Sequence, residues 1–223
     1  MRRSTLLLAA TAGFAVLYLA ATAVLGSPPD AGDSATTVTS WFAANDSHVR
    51  AWLWLLTLGL PVFVVYAALV RAVLPAVHRD VFFAGAIAFT AETAVQGWLW
   101  AALALHPGGA SAGTTQLVFD AASYWGPVLT STTLMMLVPV AVLGLRGEAG
   151  WPRWLGVVAG LAAAEQAVET ITIVGRHGFL APGGPMNVYV GAGATAVALL
   201  AIGVVGSRRL RDAPVSAGAT AGT

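Results

Sequence analysis

The feature that most constrains the fold is a series of six long apolar stretches. They cover residues 5–26, 51–70, 81–105, 124–145, 154–174 and 188–206. Each one is long enough to cross the roughly 30 Å hydrocarbon core of a bilayer as a helix. Charged residues make up only 9% of the chain, whereas soluble proteins contain about a quarter. The sequence therefore predicts an all-α, polytopic membrane bundle of six transmembrane helices.

Arginine placement predicts the orientation of these stretches. The chain contains no lysine, and its 11 basic residues are all arginines. If the N-terminus is cytoplasmic, every arginine except Arg50 and Arg176 falls in a cytoplasmic segment. Cytoplasmic loops collect arginine and lysine, so both termini are expected in the cytoplasm. Residues 1–210 then form a single transmembrane domain with an external loop at 27–50, and residues 211–223 form a disordered cytoplasmic tail.

The first apolar stretch leaves two interpretations open. It follows Arg2 and Arg3 and ends at small residues, as a cleaved signal peptide does. Its apolar run of about 20 residues is longer than the 7–15 residues of a signal peptide. A retained transmembrane helix is therefore the favoured interpretation.

Two local irregularities are predicted. The external "TTVTSWFAAND" segment (36–46) is expected to be a short helix lying on the bilayer surface, with Trp41 and Phe42 in the interface. The fourth stretch is expected to begin with a short turn near Asp120 and to bend at Gly126–Pro127, because proline interrupts helical hydrogen bonding.

A short motif occurs twice, in the third and fifth stretches. "AETAVQ" (91–96) and "AEQAVE" (164–169) are identical at four of their six positions. Both stretches are predicted to run in the same direction, so a two-helix duplication is geometrically allowed. Chance matching in a chain rich in alanine and valine explains the similarity equally well, and the two interpretations stay open.

The two copies place acidic side chains at a similar depth in the membrane. Glu92 lies 12 residues after Asp80, and Glu165 lies 12 residues after Arg153. At 1.5 Å per residue, both lie about 18 Å from the cytoplasmic boundary, with Glu169 one turn further out. A carboxylate that faces lipid at this depth costs at least about 2.5–3.5 kcal/mol. The glutamates are therefore expected to face the bundle interior.

We interpret this polar layer as a candidate binding site for a proton or a cation. The residues predicted to form it are Glu92, Gln96, Glu165, Gln166, Glu169 and Thr132. Burial and mutual repulsion favour the protonated form of a carboxyl group, and an ionised one needs a cation. No arginine is placed at this depth, so the counter-charge is expected from a bound proton or cation, in a small carrier or sensor.

Other functions stay open. The glutamates could instead join helices through interhelical hydrogen bonds, in a structural or partner-binding membrane subunit. Thr57, Thr130 to Thr133 and Thr195 are expected mainly to bond to their own helix backbone. His48, His106 and His177 lie at external loop ends and give a weak alternative, a haem or metal site, although no two of them have metal-ligand spacing.

Several function classes find no support in the sequence. The chain has no cysteine, which excludes disulfides, thiolate metal sites and cysteine catalysis. No nucleophile–base constellation or phosphate loop is present, so neither an enzyme nor a cofactor is predicted. The net charge of +1 gives no reason to expect nucleic-acid binding. The expected partner is the lipid bilayer.

Several segments together resemble a known group of proteins. They are a basic N-terminal span, a long acidic external loop, "LVRAVLP" (69–75), "GWPRWLG" (150–156) and an arginine-ended last span. In these features the chain resembles uncharacterised small six-span membrane proteins of actinobacteria, over most of residues 1–210. The resemblance implies a plasma-membrane location and brings no known activity or catalytic residue.

Overall fold

The computed structural model describes residues 2–106 and 109–212, and within these ranges the chain is helical and contains no strand. The helices are α1 (Arg3–Leu25), α2 (Ala35–Arg71), α3 (Ala76–Leu105), α4 (Ala112–Ser123), α5 (Trp125–Arg146), α6 (Arg153–Glu169) and α7 (Ala192–Asp212). A 3-10 turn, Thr170–Val174, extends α6, and a π-helical turn, Met186–Gly191, precedes α7. The predicted tail lies outside the described residues from position 213 onward, and its first two residues belong to α7.

Five helical segments among the described residues are long and apolar enough to cross a membrane. They are Arg3–Leu25, Ala35–Arg71, Ala112–Arg146, Arg153–Val174 and Met186–Asp212. The sixth long helix, α3, is long enough, but it is less apolar because it carries Glu92 and Gln96. The predicted all-α membrane bundle is confirmed, and the architecture is that of a multi-pass membrane protein.

Six helices form a closed ring. α1 packs against α2 and α7, α2 against α3, α3 against α5, α5 against α6, and α6 against α7. Of these five segments, α4–α5 is the most buried: 61% of the residues in its most apolar part are buried, compared with 22% for α1 and for α2. α5 therefore separates α3 from α6 on that side of the ring.

The backbones of α5 and α6 approach each other closely at two glycines. A Cβ atom added to Gly156 would lie 2.5 Å from the carbonyl carbon of Gly144, which is backbone and cannot turn aside. One turn further along α6, a Cβ at Gly160 would meet Ala141 at an ordinary 3.9 Å. Small residues allow membrane helices to approach closely in this way.

Two hydrophobic clusters fill the bundle, one near each end. We call the end that carries Arg71, Arg146 and Arg153 the arginine-rich end, and the opposite one the far end. The cluster near the arginine-rich end includes Phe63 and Tyr66, both 1% exposed. The far-end cluster contains Phe42, Trp52, Trp100 and Phe119, and the rings of Phe42 and Trp100 meet edge to face at 5.5 Å.

The predicted surface helix at 36–46 is helical, but it does not lie apart on the bilayer. It forms the start of α2, and Phe42 is 1% exposed in the far-end cluster, so the prediction that Phe42 lies in the interface is wrong. α2 departs from helical geometry at Asn45 (φ −121°, ψ 18°), whose Nδ2 donates to the carbonyl of Trp41. Side chains of this type compete with the helix backbone for hydrogen bonds, which explains why the bend occurs there.

The fourth predicted stretch is interrupted at Tyr124, between α4 and α5. The predicted bend at Gly126–Pro127 is therefore displaced by two residues toward the N-terminus. Pro127 has no N–H to offer the carbonyl of Ser123, four residues earlier, and its ring crowds that carbonyl. The helix consequently breaks one turn before the proline.

Candidate functional site

A central cavity of about 160 Å³ lies inside the ring, between the two hydrophobic clusters. All six long helices contribute to its lining. Several small residues are part of the lining: they are Ala21, Gly59, Gly126, Gly191, Ala192 and Ala196. Most of the lining is apolar. The α6–α7 side contributes the only acidic group among the described lining residues, Glu169, together with Gln166, Asn187 and Thr195.

The carboxylate of Glu169 is the acidic group of this cavity. Glu169 is the last residue of α6 and is only 3% exposed. Asn187 Nδ2 donates a hydrogen bond to Glu169 Oε1, and Gln166 Nε2 donates to Glu169 Oε2. Both carboxylate oxygens are therefore held by amide donors, one from α6 and one from the π-helical turn.

The orientation of Asn187 is fixed by its other contacts. Its Oδ1 accepts from the backbone N–H of Gly183 at 2.9 Å, and its Nδ2 also donates to Thr172 Oγ1 at 3.2 Å. Because a backbone N–H can only donate, the amide oxygen must face Gly183 and the amide nitrogen must face Glu169. Asn187 therefore presents a donor to Glu169 and requires that Oε1 act as an acceptor.

Gly191 provides the room for this carboxylate. A Cβ atom at Gly191 would overlap Glu169 Oε2 and would lie 2.5 Å from its Cδ. The carboxyl group therefore rests directly on the backbone of the turn that leads into α7. Two residues further along, a Cβ at Gly193 would meet nothing within 4 Å.

Glu169 has no basic partner among the residues that the structure describes. The ion pairs in the described ranges join exposed groups outside the central cavity, such as Arg71 with Asp80 at 2.9 Å and Arg50 with Asp46 at 2.9 Å. A buried carboxylate without a cation is costly. The arrangement thus leaves a negative group whose counter-charge must come from outside the described side chains.

Two further polar atoms of the lining have no hydrogen-bond partner within residues 2–106 and 109–212. They are the hydroxyl of Thr195, a residue 7% exposed, and the indole nitrogen of Trp125. Buried polar groups in proteins are nearly always hydrogen-bonded. Their positions in the cavity wall therefore mark places where a ligand or water can supply the missing bond.

Glu92 lies elsewhere. Its Oε2 accepts a hydrogen bond from Thr132 Oγ1 at 2.9 Å, which links α3 to α5. It lines a second cavity of about 320 Å³, between α3 and the α4–α5 junction. Gln96 and Trp125 line both cavities. Because α5 lies between α3 and α6, Glu92 does not join Glu169. Separately, the described residues contain no group of three acidic or histidine side chains that could hold a metal ion.

Glu165 and Gln166 lie beside Glu169 on α6. Gln166 Nε2 donates to Glu165 Oε2 at 2.9 Å as well as to Glu169, so one amide bridges the two carboxyl groups. Glu165 is partly exposed and does not line the central cavity, and in the described part of the chain its Oε1 is buried without a partner. The structure thus brings together Gln166 and Glu169, with Glu165 at their flank.

Most of the threonines that were predicted to bond to their own helix backbone do so. Thr57, Thr130 and Thr133 donate to carbonyls of their own helices at 2.7–3.0 Å, as expected. Thr132 donates to Leu129 as well as to Glu92. Thr195 differs, since its hydroxyl has no partner among the described residues.

The three histidines of the weak metal-site alternative are dispersed. His48 Nδ1 lies 3.4 Å from Asn45 Oδ1, and the ring of His177 packs against the backbone of Gly32. His106 ends α3 and lines a shallow pocket with Thr115 and Val118. The structure does not bring these histidines into a common ligand set within the described ranges.

Three residues of the site were not singled out from the sequence as ligands: Asn187, Gly191 and Trp125. Asn187 lies one residue before the predicted sixth stretch, and a polar residue at such a boundary does not by itself indicate a binding site. An asparagine followed by "VYVGAGAT" (188–195) is the available signal, because an amide at a membrane-helix terminus next to glycines permits close contact with a neighbouring helix.

No family model matches the chain, and no curated protein or solved structure matches it either.

Proposed function

We propose that this chain is a small membrane carrier or sensor that binds a proton or a cation at Glu169, inside the six-helix ring. The observation that carries the proposal is a carboxylate 3% exposed in the wall of a cavity between long apolar helices, held by two amide donors and lacking a basic partner in the described residues. Intramembrane acidic groups of this kind mark ion and proton pathways.

The hydrogen-bond pattern supports a charge-neutralising partner that binds to Glu169 reversibly. Asn187 and Gln166 hold the carboxylate in place, and all three residues line the cavity. A fixed arginine would have neutralised the charge permanently, as a structural ion pair does. A proton or cation entering the cavity neutralises it reversibly, which is what a carrier or a sensor needs.

Glu92 favours a second, structural role for part of the predicted polar layer. Its bond to Thr132 joins α3 to α5, as interhelical hydrogen bonds do in membrane proteins. We therefore assign Glu92 to helix association and Glu169 to binding, with Gln166 and Glu165 shaping the site and Gln96 at its border with the second cavity.

The test compares the full chain with two matched variants. Wild type, Glu169→Gln and Glu92→Gln are purified in detergent, and their thermal unfolding is measured across pH and with Na⁺, K⁺ or ammonium. The other titratable groups near Glu169 are Glu165 and Tyr18. A ligand that binds only the folded state raises Tm, so wild type and Glu92→Gln should show a pH-dependent or cation-dependent component of Tm that Glu169→Gln lacks. Other titratable groups, such as Asp80, contribute equally to all three proteins. An unchanged dependence in Glu169→Gln would contradict the proposal.

We further propose that the protein lies in the plasma membrane with both termini in the cytoplasm. The placement of nine of its eleven arginines at one end supports this orientation. The chain has no cysteine, so single cysteines at the exposed positions Ser47 and Glu148 report one side each. A membrane-impermeant maleimide on intact cells should label Ser47→Cys, and Glu148→Cys only after lysis; the reverse would overturn the orientation.

A further inference from the structure

We infer that the ligand of the central cavity is a compact organic ammonium ion, one positive nitrogen on an apolar body about the size of one ring. This inference rests on the proposed binding role of Glu169 and names its ligand class. It follows from four properties of the cavity: its aromatic wall, its volume, its free acceptors and the presence of a single carboxylate among its described lining residues.

The wall opposite Glu169 is aromatic. Phe14 and Tyr18 come from α1, Phe63 from α2 and Phe89 from α3, whereas the carboxylate comes from α6. The rings of Phe14 and Phe63 are 5.0 Å apart, and those of Phe63 and Phe89 are 5.1 Å apart, so they form one continuous surface. Aromatic faces attract organic cations and also pack against apolar groups. A ligand with a charged head and an apolar body matches both sides of the cavity.

The volume limits the apolar body. The cavity measures about 160 Å³, and an apolar cavity of roughly 150 Å³ in another protein holds benzene. One six-membered ring, or a branched alkyl group of similar size, therefore fills the space. Larger amphiphiles require the ring of helices to open.

Acceptors for an ammonium group remain free around Glu169. Each carboxylate oxygen can accept about two hydrogen bonds, and Asn187 and Gln166 supply one to each. The hydroxyl of Thr195 has no partner within the described chain and lies one helical turn beyond Gly191, on which the carboxylate rests. Residues four apart share a helix face, so Thr195 and Glu169 present acceptors to the same part of the cavity.

The donor set does not suit a bare inorganic ion. Ca²⁺ takes six to eight oxygen ligands, and Mg²⁺ needs a near-octahedral set with several waters. The described lining offers one carboxylate in a mostly apolar wall. The hydroxyls of Thr22, Thr93 and Thr133 in that wall already donate to backbone carbonyls of their own helices. An ammonium ion needs only one charge partner and a few acceptors, because its apolar body replaces water along the rest of the wall.

The test uses benzylammonium chloride and its neutral analogue benzyl alcohol as probes of the detergent-purified full chain. Binding is measured by thermal shift and calorimetry at neutral pH, where benzylamine is charged. Wild type should bind benzylammonium more tightly than benzyl alcohol. In Glu169→Gln this preference should fall by roughly tenfold or more, since a hydrogen bond to a charged group contributes at least that factor. Thr195→Val should weaken benzylammonium binding while leaving benzyl alcohol unaffected.

A cavity-filling variant and a distant variant serve as controls. Ala196→Phe places a ring in the cavity and should abolish binding of both probes, whereas Glu92→Gln, in the second cavity, should bind as wild type does. Equal affinity of wild type for the two probes, or binding unaffected by Ala196→Phe, would overturn the inference. If benzylammonium fails while a Glu169-dependent effect of pH or Na⁺ persists, the ligand class is wrong and the binding role of Glu169 stands. If no Glu169-dependent effect is seen with any cation or pH, both fail.

Discussion

Replacing Gly191 by alanine tests directly whether the Glu169 carboxylate packs against the backbone at position 191. A methyl group at this position would overlap Glu169 Oε2. The obstructing atoms belong to a flexible side chain, so the expected response is a rotation of Glu169 away from the turn. That rotation breaks the hydrogen bonds from Asn187 and Gln166.

The magnitude follows from these two bonds. Interhelical hydrogen bonds in membrane proteins contribute about 0.6–1.7 kcal/mol each, so the loss of two amounts to about 1–3 kcal/mol. An alanine also improves the helix propensity over glycine by about 1 kcal/mol. Gly193→Ala gains this propensity without any overlap, because nothing lies within 4 Å of its Cβ position. The difference between the two variants therefore isolates the effect on Glu169.

Thermal unfolding in detergent measures this difference. Gly191→Ala should unfold at a Tm about 2–12 °C below that of Gly193→Ala, at 2–4 °C per kcal/mol for a chain of this length. In a Glu169→Ala background most of this difference should disappear, because the main overlapping group is gone and only Gln166 Nε2, at 2.9 Å, remains close to the added Cβ. Equal Tm values in the native background would refute the contact between Glu169 and Gly191.

Other predictions concern the rest of the bundle. Gly156→Ala should destabilise the protein by about 1–3 kcal/mol through a backbone clash, while Gly160→Ala should be tolerated, as thermal unfolding will show. Glu92→Leu should lower Tm by removing an interhelical bond, and Glu92→Gln should not. Asp80 lies outside the apolar stretch 81–105, and its hydrogen bond from Arg71 lowers the pKa of its carboxyl group. The stability that this bond contributes should be complete above about pH 4 and lost as the pH falls through the lowered pKa; NMR titration should show the pKa of Asp80 rising in Arg71→Gln.

The helices were predictable because their causes are local. Six apolar stretches of sufficient length must become helices in lipid, where every backbone group needs an internal partner. Departures arose where one side chain alters the backbone, as Asn45 bends α2 and Pro127 breaks the helix before α5. The presence of a proline or an asparagine does not by itself identify the residue at which a helix bends or breaks.

The site was only partly predictable. Depth along a helix follows from residue counting, and this depth predicts a polar layer that contains Glu92, Glu165 and Glu169. Depth does not say which neighbour a side chain faces, and the placement of α5 between α3 and α6 sends Glu92 and Glu169 to different cavities. The contributions of Asn187 and Gly191 depend on how the turn before α7 packs against α6, which is a tertiary contact with no local signature.

The most direct test of the central claim is an infrared difference spectrum of the purified protein between low and high pH, in wild type, Glu169→Gln and Glu92→Gln. If the charge of Glu169 is neutralised inside the cavity, wild type and Glu92→Gln should lose a protonated carboxyl band and gain carboxylate bands as the pH rises. Benzylammonium should shift that transition to lower pH, since it binds the ionised form. The account predicts that Glu169→Gln lacks the component of these bands that Glu169 contributes and that benzylammonium shifts, and an identical difference spectrum in Glu169→Gln would contradict it.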